Sequence, residues 1–229
     1  MKIMFISDLH YSSKSSEIGA FKWLKKIVKY HMPEYLLSAG DWGYEVNMEN
    51  FIDILNLTKI YTIYGNHDNL KVLLSLRNVD DTPILIKDEC ILKIDELNIT
   101  GINGIIAERR RIRKGVPRKR PEDFIRIARS INNKNIDILL IHESPPFPEY
   151  RGSMHFRRSL NSILDVIRIL KPRIIINGHL HFSPYTAIYC GKYIYIRIIS
   201  SQDFRYYAIY DDEKIKIYCD YSEIASLYW

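Results

Sequence analysis

The sequence is short of three features, and each shortage excludes a class of protein. No apolar run among its 229 residues approaches the roughly 20 that cross a bilayer as a helix, so no membrane partner is predicted. The three cysteines, Cys90, Cys190 and Cys219, are widely spaced and form no CxxC pair, which argues against a disulfide framework. The stretch before Asp8 is too short for a secretory signal, and these absences together predict a cytoplasmic protein.

The remaining composition is that of an ordinary globular chain. Hydrophobic residues make up 47% and charged residues 26%, and 229 residues are enough to bury one sizeable core. Neither an internal repeat nor a low-complexity linker interrupts the chain. We therefore predict a single domain over residues 1–229, and the sequence leaves its oligomeric state open.

Positive charge is concentrated in one short segment. The net charge is +6, but residues 108–120 hold eight basic residues against one acid, or +7, which leaves about −1 for the rest. The basic residues are Arg109, Arg110, Arg111, Arg113, Lys114, Arg118, Lys119 and Arg120. Gly115 and Pro117 predict that this segment is a loop. Such a loop has two interpretations. It contacts the phosphates of nucleic acid or of another polyanion, or it is a solvated surface segment.

Apolar runs alternate with helical patterns in most of the chain, which predicts an α/β fold with parallel crossovers. The predicted helices are Glu17–Tyr30, Met48–Leu57, Leu70–Leu76, Pro121–Ile131 and Arg158–Leu170. The predicted strands are Lys2–Ser7, Tyr35–Ala39, Ile60–Tyr64, Ile84–Ile86, Ile91–Ile94, Ile99–Gly101, Ile136–Ile141, Arg173–Asn177, Thr186–Tyr189, Tyr193–Ile198, Tyr206–Tyr210 and Ile215–Tyr218. The short middle and C-terminal runs favour antiparallel pairing, so a mixture of parallel and antiparallel strands is expected.

Five of the seven histidines follow predicted strands and stand beside carboxylates or an amide. They occur in Asp8-Leu9-His10, Gly65-Asn66-His67-Asp68, His142 and Gly178-His179-Leu180-His181, and Asp41 of Gly40-Asp41 ends another strand. Ligand sites of parallel sheets lie at the carboxyl ends of the strands, so these residues can converge. Imidazole, carboxylate and amide oxygen together bind borderline divalent metals, which predicts a metal centre.

The order of these motifs resembles the calcineurin-like metallophosphoesterase superfamily. The motifs DLH, GD, GNHD, a lone histidine after a strand and GHLH appear in sequence from Ser7 to about Phe182. The resemblance implies a two-sheet sandwich flanked by helices, with mixed parallel and antiparallel strands. It also implies a hydrolase that cleaves phosphoesters by attack of a hydroxide bridging two divalent ions.

The resemblance also implies a role for each motif residue. One metal ion is held by Asp8, His10 and His181, the other by Asn66, His142 and His179, and Asp41 bridges the two. His67 is not a ligand and protonates the leaving oxygen. Mn²⁺ is the metal that the resemblance favours, although Fe, Zn, Co and Ni suit the same ligands.

Several functions remain open within the resemblance. We expect a phosphodiesterase acting on nucleotides or nucleic acid, with a phosphomonoesterase for a small metabolite as the alternative. A serine/threonine protein phosphatase is disfavoured, because Trp42-Gly43-Tyr44 follows Gly40-Asp41 where those enzymes carry valine-aspartate-arginine-glycine. A non-catalytic scaffold, as in the retromer subunit, is disfavoured because the ligand set is intact.

A few further residues invite two interpretations each. Asp68 either orients His67 or caps the helix that follows. The aromatic residues Tyr11, Trp42 and Tyr44 either stack a base or pack in the core. His31, at a predicted helix end, is explained by the helix dipole. The segment after His142 passes near the site, and three of its residues are candidates for contact with substrate: Tyr150, Arg151 and His155.

Overall fold

Two six-stranded sheets form the body of the protein. The computed structural model describes residues 1–14, 16–131, 135–146 and 161–229. The strands are β1 (Lys2–Ile6), β2 (Tyr35–Ser38), β3 (Lys59–Thr62), β4 (Ile91–Ile94), β5 (Leu97–Ile102), β6 (Arg111–Arg113), β7 (Val116–Arg118), β8 (Ile138–Ile141), β9 (Ile174–Asn177), β10 (Tyr185–Cys190), β11 (Tyr193–Ile198), β12 (Tyr206–Asp211), β13 (Lys214–Cys219) and β14 (Ser222–Tyr228). The helices are α1 (Ala20–His31), α2 (Met48–Leu55), α3 (Leu70–Ser75), α4 (Pro121–Ile131) and α5 (Asn161–Leu170), and a 3-10 turn at Ser16–Gly19 precedes α1.

Each sheet combines a block of parallel strands with antiparallel additions. The first sheet has the order β14-β13-β12-β1-β2-β3, in which β1, β2 and β3 are parallel and β12 to β14 add antiparallel strands. The second has the order β10-β11-β9-β8-β5-β4, in which β11, β9, β8 and β5 are parallel and the two edge strands are antiparallel. The predicted mixture of pairings is confirmed.

The layers follow from strands that are apolar on both faces. In β1, Ile3 and Phe5 point into the core between the sheets, whereas Met4 and Ile6 pack in a second core with α1, α2 and α3. A third core joins α4 and α5 to the outer face of the second sheet. The predicted two-sheet sandwich flanked by helices is therefore confirmed, with the order helix, sheet, sheet, helix.

The basic segment differs from its prediction. Residues 111–118, which we call the basic hairpin, form β6 and β7 around a turn at Lys114 and Gly115, both with positive φ. The prediction of a loop was wrong, because the alternation of Arg111, Ile112 and Arg113 outweighs the turn residues beyond it. The glycine, with φ +79, supplies the left-handed conformation that a two-residue hairpin turn requires.

Other differences are smaller. The run Ile84–Ile86 forms no named strand and makes one bridge through Leu85 to Thr62, while strand β14 was missed. The start of the predicted helix Arg158–Leu170 lies outside the described residues. No helix within the described ranges is long and apolar enough to span a membrane.

His31 is held in a way that the dipole interpretation did not anticipate. It is buried at the end of α1, and its Nε2 lies 2.8 Å from the hydroxyl of Tyr207. Burial lowers the pKa of His31 to about 4, with Lys2 and Lys216 adding to the effect. The ring is therefore neutral at pH 7, and the explanation by a charged imidazole at the helix dipole was wrong.

Candidate active site

The loops after β1 and β2 are joined by backbone hydrogen bonds at the sheet edge. The amides of Asp8 and His10 donate to the carbonyls of Gly40 and Asp41, both at 2.9 Å. The neighbouring amide of Tyr11 donates to the carbonyl of Trp42 at 2.8 Å. The two loops therefore continue the pairing of their strands, which brings Asp8, His10 and Asp41 to one place.

Four of the predicted ligands have a left-handed backbone. The φ angles are 54° at Asp8, 53° at His10, 61° at Asp41 and 73° at His179. Such conformations cost about 1–3 kcal/mol each outside glycine and persist where the surroundings hold them. Here the loop-to-loop hydrogen bonds do so, and they turn the side chains towards a common centre.

Asp8 is the hub of the first group of side chains. Its carboxylate lies 3.0 Å from Nε2 of His181 and 3.4 Å from Nε2 of His10. It also accepts hydrogen bonds from the Ser7 hydroxyl at 2.7 Å and from the His179 amide at 3.0 Å. The ligand atoms of Asp8, His10 and His181 all lie within 4.8 Å of one another, so this trio could hold a metal ion.

Asp41 stands between the first group and a second one. Its Oδ2 is 3.8 Å from Nε2 of His10 and 3.2 Å from Nε2 of His142, while its Oδ1 accepts from the amides of Asn66 and His67, both at 2.6 Å. The ligand atoms of Asp8, Asp41 and His142 form a second trio within 4.8 Å. Asp41 thus contacts residues of both predicted metal sets.

His142 is oriented by a backbone acceptor. Its Nδ1 lies 2.8 Å from the carbonyl oxygen of Ala39, which is a hydrogen bond that only a protonated Nδ1 can donate. The opposite nitrogen, Nε2, then points into the site. His179 lies beside it with the ring centroids 5.2 Å apart, and Nε2 of His179 is 3.9 Å from the buried carboxylate of Glu143.

The donor set fits divalent metal ions. Oδ1 of Asn66 is buried and finds no hydrogen-bond partner among the described residues, and the buried Nε2 of His142 faces only the Asp41 carboxylate, 3.2 Å away and outside good hydrogen-bond geometry. Buried polar atoms are rarely left without a partner, so these two are positioned for a ligand that is not part of the chain. Space is reserved as well, because a Cβ on Gly65 would lie 2.2 Å from Asp41 Oδ1 and 2.6 Å from His142 Nε2.

Opposing charges shift the pKa values of the site. Burial opposes ionisation of Asp8 and Asp41, yet the imidazoles of His10 and His181 hold the pKa of Asp8 well below its usual value. For Asp41 the neighbouring His142 lowers the pKa to about 2. Against the effect of its own burial, the carboxylates, Asp41 foremost, raise the pKa of His142 to about 10. The carboxylates are thus ionised at pH 7, as metal ligands must be.

His67 lies at the mouth of the site. It is exposed, its backbone is fixed through Asp41, and its ring is 5.1 Å from those of His10 and Tyr44. Partial burial of one side of the ring, opposed by Asp41, lowers the pKa of His67. The cleft has a volume of about 490 Å³, and Leu180 and Phe182 line it together with His67 and the ligand residues His10, Asp41, Asn66, His179 and His181. An exposed imidazole in such a cleft can touch a bound phosphoester and exchange a proton with it.

Asp68 ties the loops together. Its carboxylate accepts hydrogen bonds from the amides of Asp41, Trp42 and Gly65 at 2.9, 2.7 and 2.7 Å. The cap of α3 is Asn69, so the interpretation of Asp68 as the helix cap was wrong. Burial and the charge of Asp41 raise the pKa of Asp68 to about 7.

Two residues that sequence reasoning missed hold the later loops. The buried Asn177 side chain donates to the carbonyls of Ile141, His142 and Glu143 at 2.7–3.1 Å. The buried guanidinium of Arg197 donates to the carbonyls of Leu180 and Ser183 on either side of His181. A sequence signal for Asn177 existed, because it is the last residue of its strand and precedes the GHLH motif. No such signal existed for Arg197, which lies inside an apolar strand.

The aromatic and basic residues that were candidates for substrate contact lie in different environments. Trp42 is fully buried and Tyr11 packs edge-on against Phe21, so the core interpretation holds for both. In the basic segment, Arg110 pairs with Asp123, Lys119 with Asp88 and Arg120 with Glu122. Arg109, Arg111, Arg113 and Lys114 are exposed. The candidates Tyr150, Arg151 and His155 lie outside the described residues.

Solved structures of low sequence identity share this fold. TT1561 of Thermus thermophilus is 11% identical, with a TM-score of 0.68 and coverage of 96% of this chain and 98% of that one. A dimetal phosphatase from Danio rerio is 9% identical, with a TM-score of 0.58 over 100% of this chain and 98% of that one. Vps29 of Entamoeba histolytica, complexed with zinc, is 12% identical, with a TM-score of 0.52 and coverage of 100% and 99%.

The sequence itself identifies the family. No curated protein matches this chain. The family model described as calcineurin-like phosphoesterase, however, matches residues 1–183, a range that contains every motif of the site. The chain therefore belongs to the calcineurin-like phosphoesterase family and is a metal-dependent phosphoester hydrolase.

Proposed function

We propose that the protein is a two-metal phosphodiesterase that acts on nucleotides or nucleic acid. Asp8, His10 and His181 would hold one ion, and Asn66, His142 and His179 the other. Asp41 would bridge the two ions. The observation that carries the proposal is the position of the Asp41 carboxylate, 3.8 Å from a histidine of the first set and 3.2 Å from a histidine of the second.

The chemistry divides between the ions and the chain. Two bound divalent ions would neutralise charge on the phosphoryl oxygens and lower the pKa of a water molecule. The chain orients the donors, because Ala39 fixes the His142 tautomer and Asp68 fixes the loops. His67 would donate its proton to the oxygen of the leaving group, since its ring is at the mouth of the cleft and is not needed as a ligand.

The metal would be Mn²⁺. Histidine nitrogen with carboxylate and amide oxygen suits Mn as well as Fe, Zn, Co and Ni, so the ligands alone do not select among them. Three of the seven donors are oxygens, which favours the harder ions of this series. Metal analysis of the purified protein by mass spectrometry, followed by reconstitution of EDTA-treated protein with each ion, tests this choice.

The preference for a nucleotide rests on the basic hairpin. Lys119 at its base donates to the Tyr64 hydroxyl at 3.2 Å and to the Asn103 carbonyl at 2.5 Å, while Lys114 at its tip lies 4.5 Å from the ring centroid of Tyr44. Both tyrosines flank ligand positions, Tyr64 before Gly65-Asn66 and Tyr44 after Asp41. The hairpin is therefore fastened beside the site, where its cations meet the charges of a phosphodiester chain.

The test compares two model substrates and one variant. With added Mn²⁺, bis-p-nitrophenyl phosphate should be hydrolysed faster than p-nitrophenyl phosphate. The reverse order favours the monoesterase. His67→Ala should bind the metal ions normally while losing about a hundredfold or more in kcat. Normal hydrolysis by His67→Ala contradicts its role as the acid, and absence of both metal and activity in the wild type contradicts the proposal as a whole.

A further inference from the structure

Tyr44 forms a bridge from the mouth of the cleft to the basic hairpin. Its hydroxyl donates to the carbonyl oxygen of Asn66 at 2.6 Å, and its ring centroid is 5.1 Å from that of His67 with the planes tilted by 44°. The ammonium group of Lys114 lies 4.5 Å from the same ring centroid. The ring of Tyr44 thus lies between two neighbours that it contacts, His67 and Lys114.

A separate cavity of about 460 Å³ lies on the hairpin side of Tyr44. Lys71, Lys114 and Glu45 line it with Asp68 and Asn69. It shares neither His67 nor any residue of the proposed ligand set with the cleft. The cavity is thus distinct from the cleft, and Tyr44, which lines the cavity, contacts His67, which lines the cleft.

The charges of this cavity are unevenly satisfied. Glu45 accepts from the amide and the hydroxyl of Ser13, both at 2.6 Å, and the Asp68 carboxylate is engaged by three backbone amides. Lys71 and Lys114 are both exposed, and within the described part of the chain neither ammonium group has a carboxylate partner. Two cations without a carboxylate partner among the described residues therefore face this cavity, and its two acids are hydrogen-bonded to other groups.

We propose that this cavity is a subsite for a leaving group that itself carries a phosphate, with Lys71 and Lys114 as its phosphate contacts. The inference rests on the proposed function in one respect, the assignment of His67 as the acid. A group that protonates the leaving oxygen must stand on the leaving-group side of the scissile bond. Tyr44 continues on that side from His67, and the cavity follows Tyr44.

The positions of the two lysines define the substrate class. The ring centroid of Tyr44 is 5.1 Å from that of His67 and 4.5 Å from the Lys114 ammonium, so this ammonium lies within about 10 Å of the His67 ring. A leaving nucleoside with a second phosphate would place that phosphate against Lys71 and Lys114. Charge-assisted contacts of this kind contribute more than neutral hydrogen bonds, so a phosphate on the leaving side should be recognised there.

The first test measures binding without catalysis. EDTA-treated protein is titrated calorimetrically with thymidine monophosphate and with thymidine at low salt. The variant Lys71→Gln/Lys114→Gln should bind the monophosphate about tenfold more weakly than the wild type, which corresponds to about 1.4 kcal/mol. The matched control, Lys93→Gln/Lys192→Gln, removes two exposed lysines from the edge hairpins of the second sheet and should bind normally. Equal affinity of the two double variants overturns the subsite.

The second test asks on which side of the scissile bond an additional phosphate is recognised. Hydrolysis of the thymidine dinucleotide is compared with hydrolysis of its 5′-phosphorylated and 3′-phosphorylated forms in the presence of Mn²⁺. Analysis of the products identifies the leaving group, which is the nucleoside released without the scissile phosphate. The form whose extra phosphate departs with that nucleoside should have a kcat/KM about tenfold above the unmodified dinucleotide. Lys71→Gln/Lys114→Gln should lose this preference and Lys93→Gln/Lys192→Gln should retain it. A preference for the other phosphorylated form, or none in the wild type, overturns the inference.

The two failures are distinguishable. Absence of the directional preference in the wild type, with intact hydrolysis of the unmodified dinucleotide, removes the subsite and leaves the proposed phosphodiesterase standing. Absence of hydrolysis of every phosphoester under every metal ion removes the proposed function, and the calorimetric comparison then decides the phosphate site by itself.

Discussion

The loops of the metal centre and the basic hairpin both carry charge, and they hold it in opposite ways. Asp8, Asp41 and His142 are buried, and hydrogen bonds to neighbouring loops fix each one. In the hairpin, Arg111, Arg113 and Lys114 are exposed. Buried charges act at short range with defined geometry, whereas exposed charges act through a field that salt screens. The buried charges of the metal-centre loops are therefore suited to chemistry at fixed geometry, and the exposed charges of the hairpin to a longer-range field.

Asp41→Asn should produce the largest effect on this comparison. The amide keeps the shape of the side chain and can still accept from the amides of Asn66 and His67, but it loses the charge between the two histidine sets. We expect kcat to fall by about a thousandfold or more, equivalent to about 4 kcal/mol, with loss of bound metal. Activity and metal content are the measurements, and Asp165→Asn on the exposed face of α5 is the control. Retention of full metal content would exclude a bridging role.

Replacing one glycine in each region with alanine compares how tightly the metal centre and the basic hairpin are packed. A Cβ on Gly65 would meet Asp41 and His142, whereas a Cβ on Gly115 meets nothing within 4 Å and only its φ of +79 opposes it. Gly65→Ala should cost up to about 3 kcal/mol and abolish metal binding, and Gly115→Ala about 1 kcal/mol with metal binding intact. Chemical denaturation with metal analysis measures both. Similar costs at the two sites contradict the contrast.

The regions should also respond differently to pH. The pKa of His142 is raised to about 10 and that of His10 is raised as well, so protons must leave before a metal ion binds. Metal affinity should therefore rise with pH, about tenfold per unit for each proton released, between about pH 6 and 8. Polyanion binding through the exposed cations of the hairpin should be flat over this range. Metal titration and nucleic-acid binding at several pH values check both, and a flat metal affinity is the contradicting result.

The salt dependence of DNA binding should show whether the hairpin contacts phosphates. Arg110 is paired with Asp123, so the variant that tests polyanion binding is Arg109→Ala/Arg111→Ala/Arg113→Ala. Its affinity for single-stranded and duplex DNA should fall, and the slope of log K against log salt should decrease by about one for each phosphate that the variant no longer neutralises. Lys22→Ala/Lys26→Ala/Lys29→Ala on the exposed face of α1 removes the same charge as a control. Indistinguishable slopes in the two triple variants exclude binding of phosphates by the hairpin.

The smallest effect is expected for Tyr44→Phe. The ring remains beside His67 and Lys114, and only the hydrogen bond to the Asn66 carbonyl is removed. A single neutral hydrogen bond of about 1 kcal/mol corresponds to roughly a fivefold fall in kcat, with KM unchanged. Steady-state kinetics on bis-p-nitrophenyl phosphate measures it, with Tyr30→Phe on the surface as the control. A change in KM alone would show that the hydroxyl contacts substrate instead.

Local patterns determined much of the fold and less of the site. The alternation of strand and helix, the family and the convergence of the histidine motifs follow from short segments, because period and strand ends are local properties. The pattern did not determine that Asp68 binds the amides of Asp41 and Trp42, or that Arg197 braces the loop of His181. Those contacts join residues more than ten positions apart, and the type of a side chain does not predict them.

Residue types and their order along the chain specify which metal donors exist and, through the family, the reaction. How these donors are held depends on the folded protein. Pairing of β1, β2 and β3 aligns their carboxyl ends and brings Asp8, Asp41 and Asn66 together. Folding of the basic segment into a hairpin puts Lys114 on Tyr44, which no spacing in the sequence predicts. The physical reason is that metal donors follow from residue type, whereas proximity across sheets follows from packing, which depends on the whole core at once.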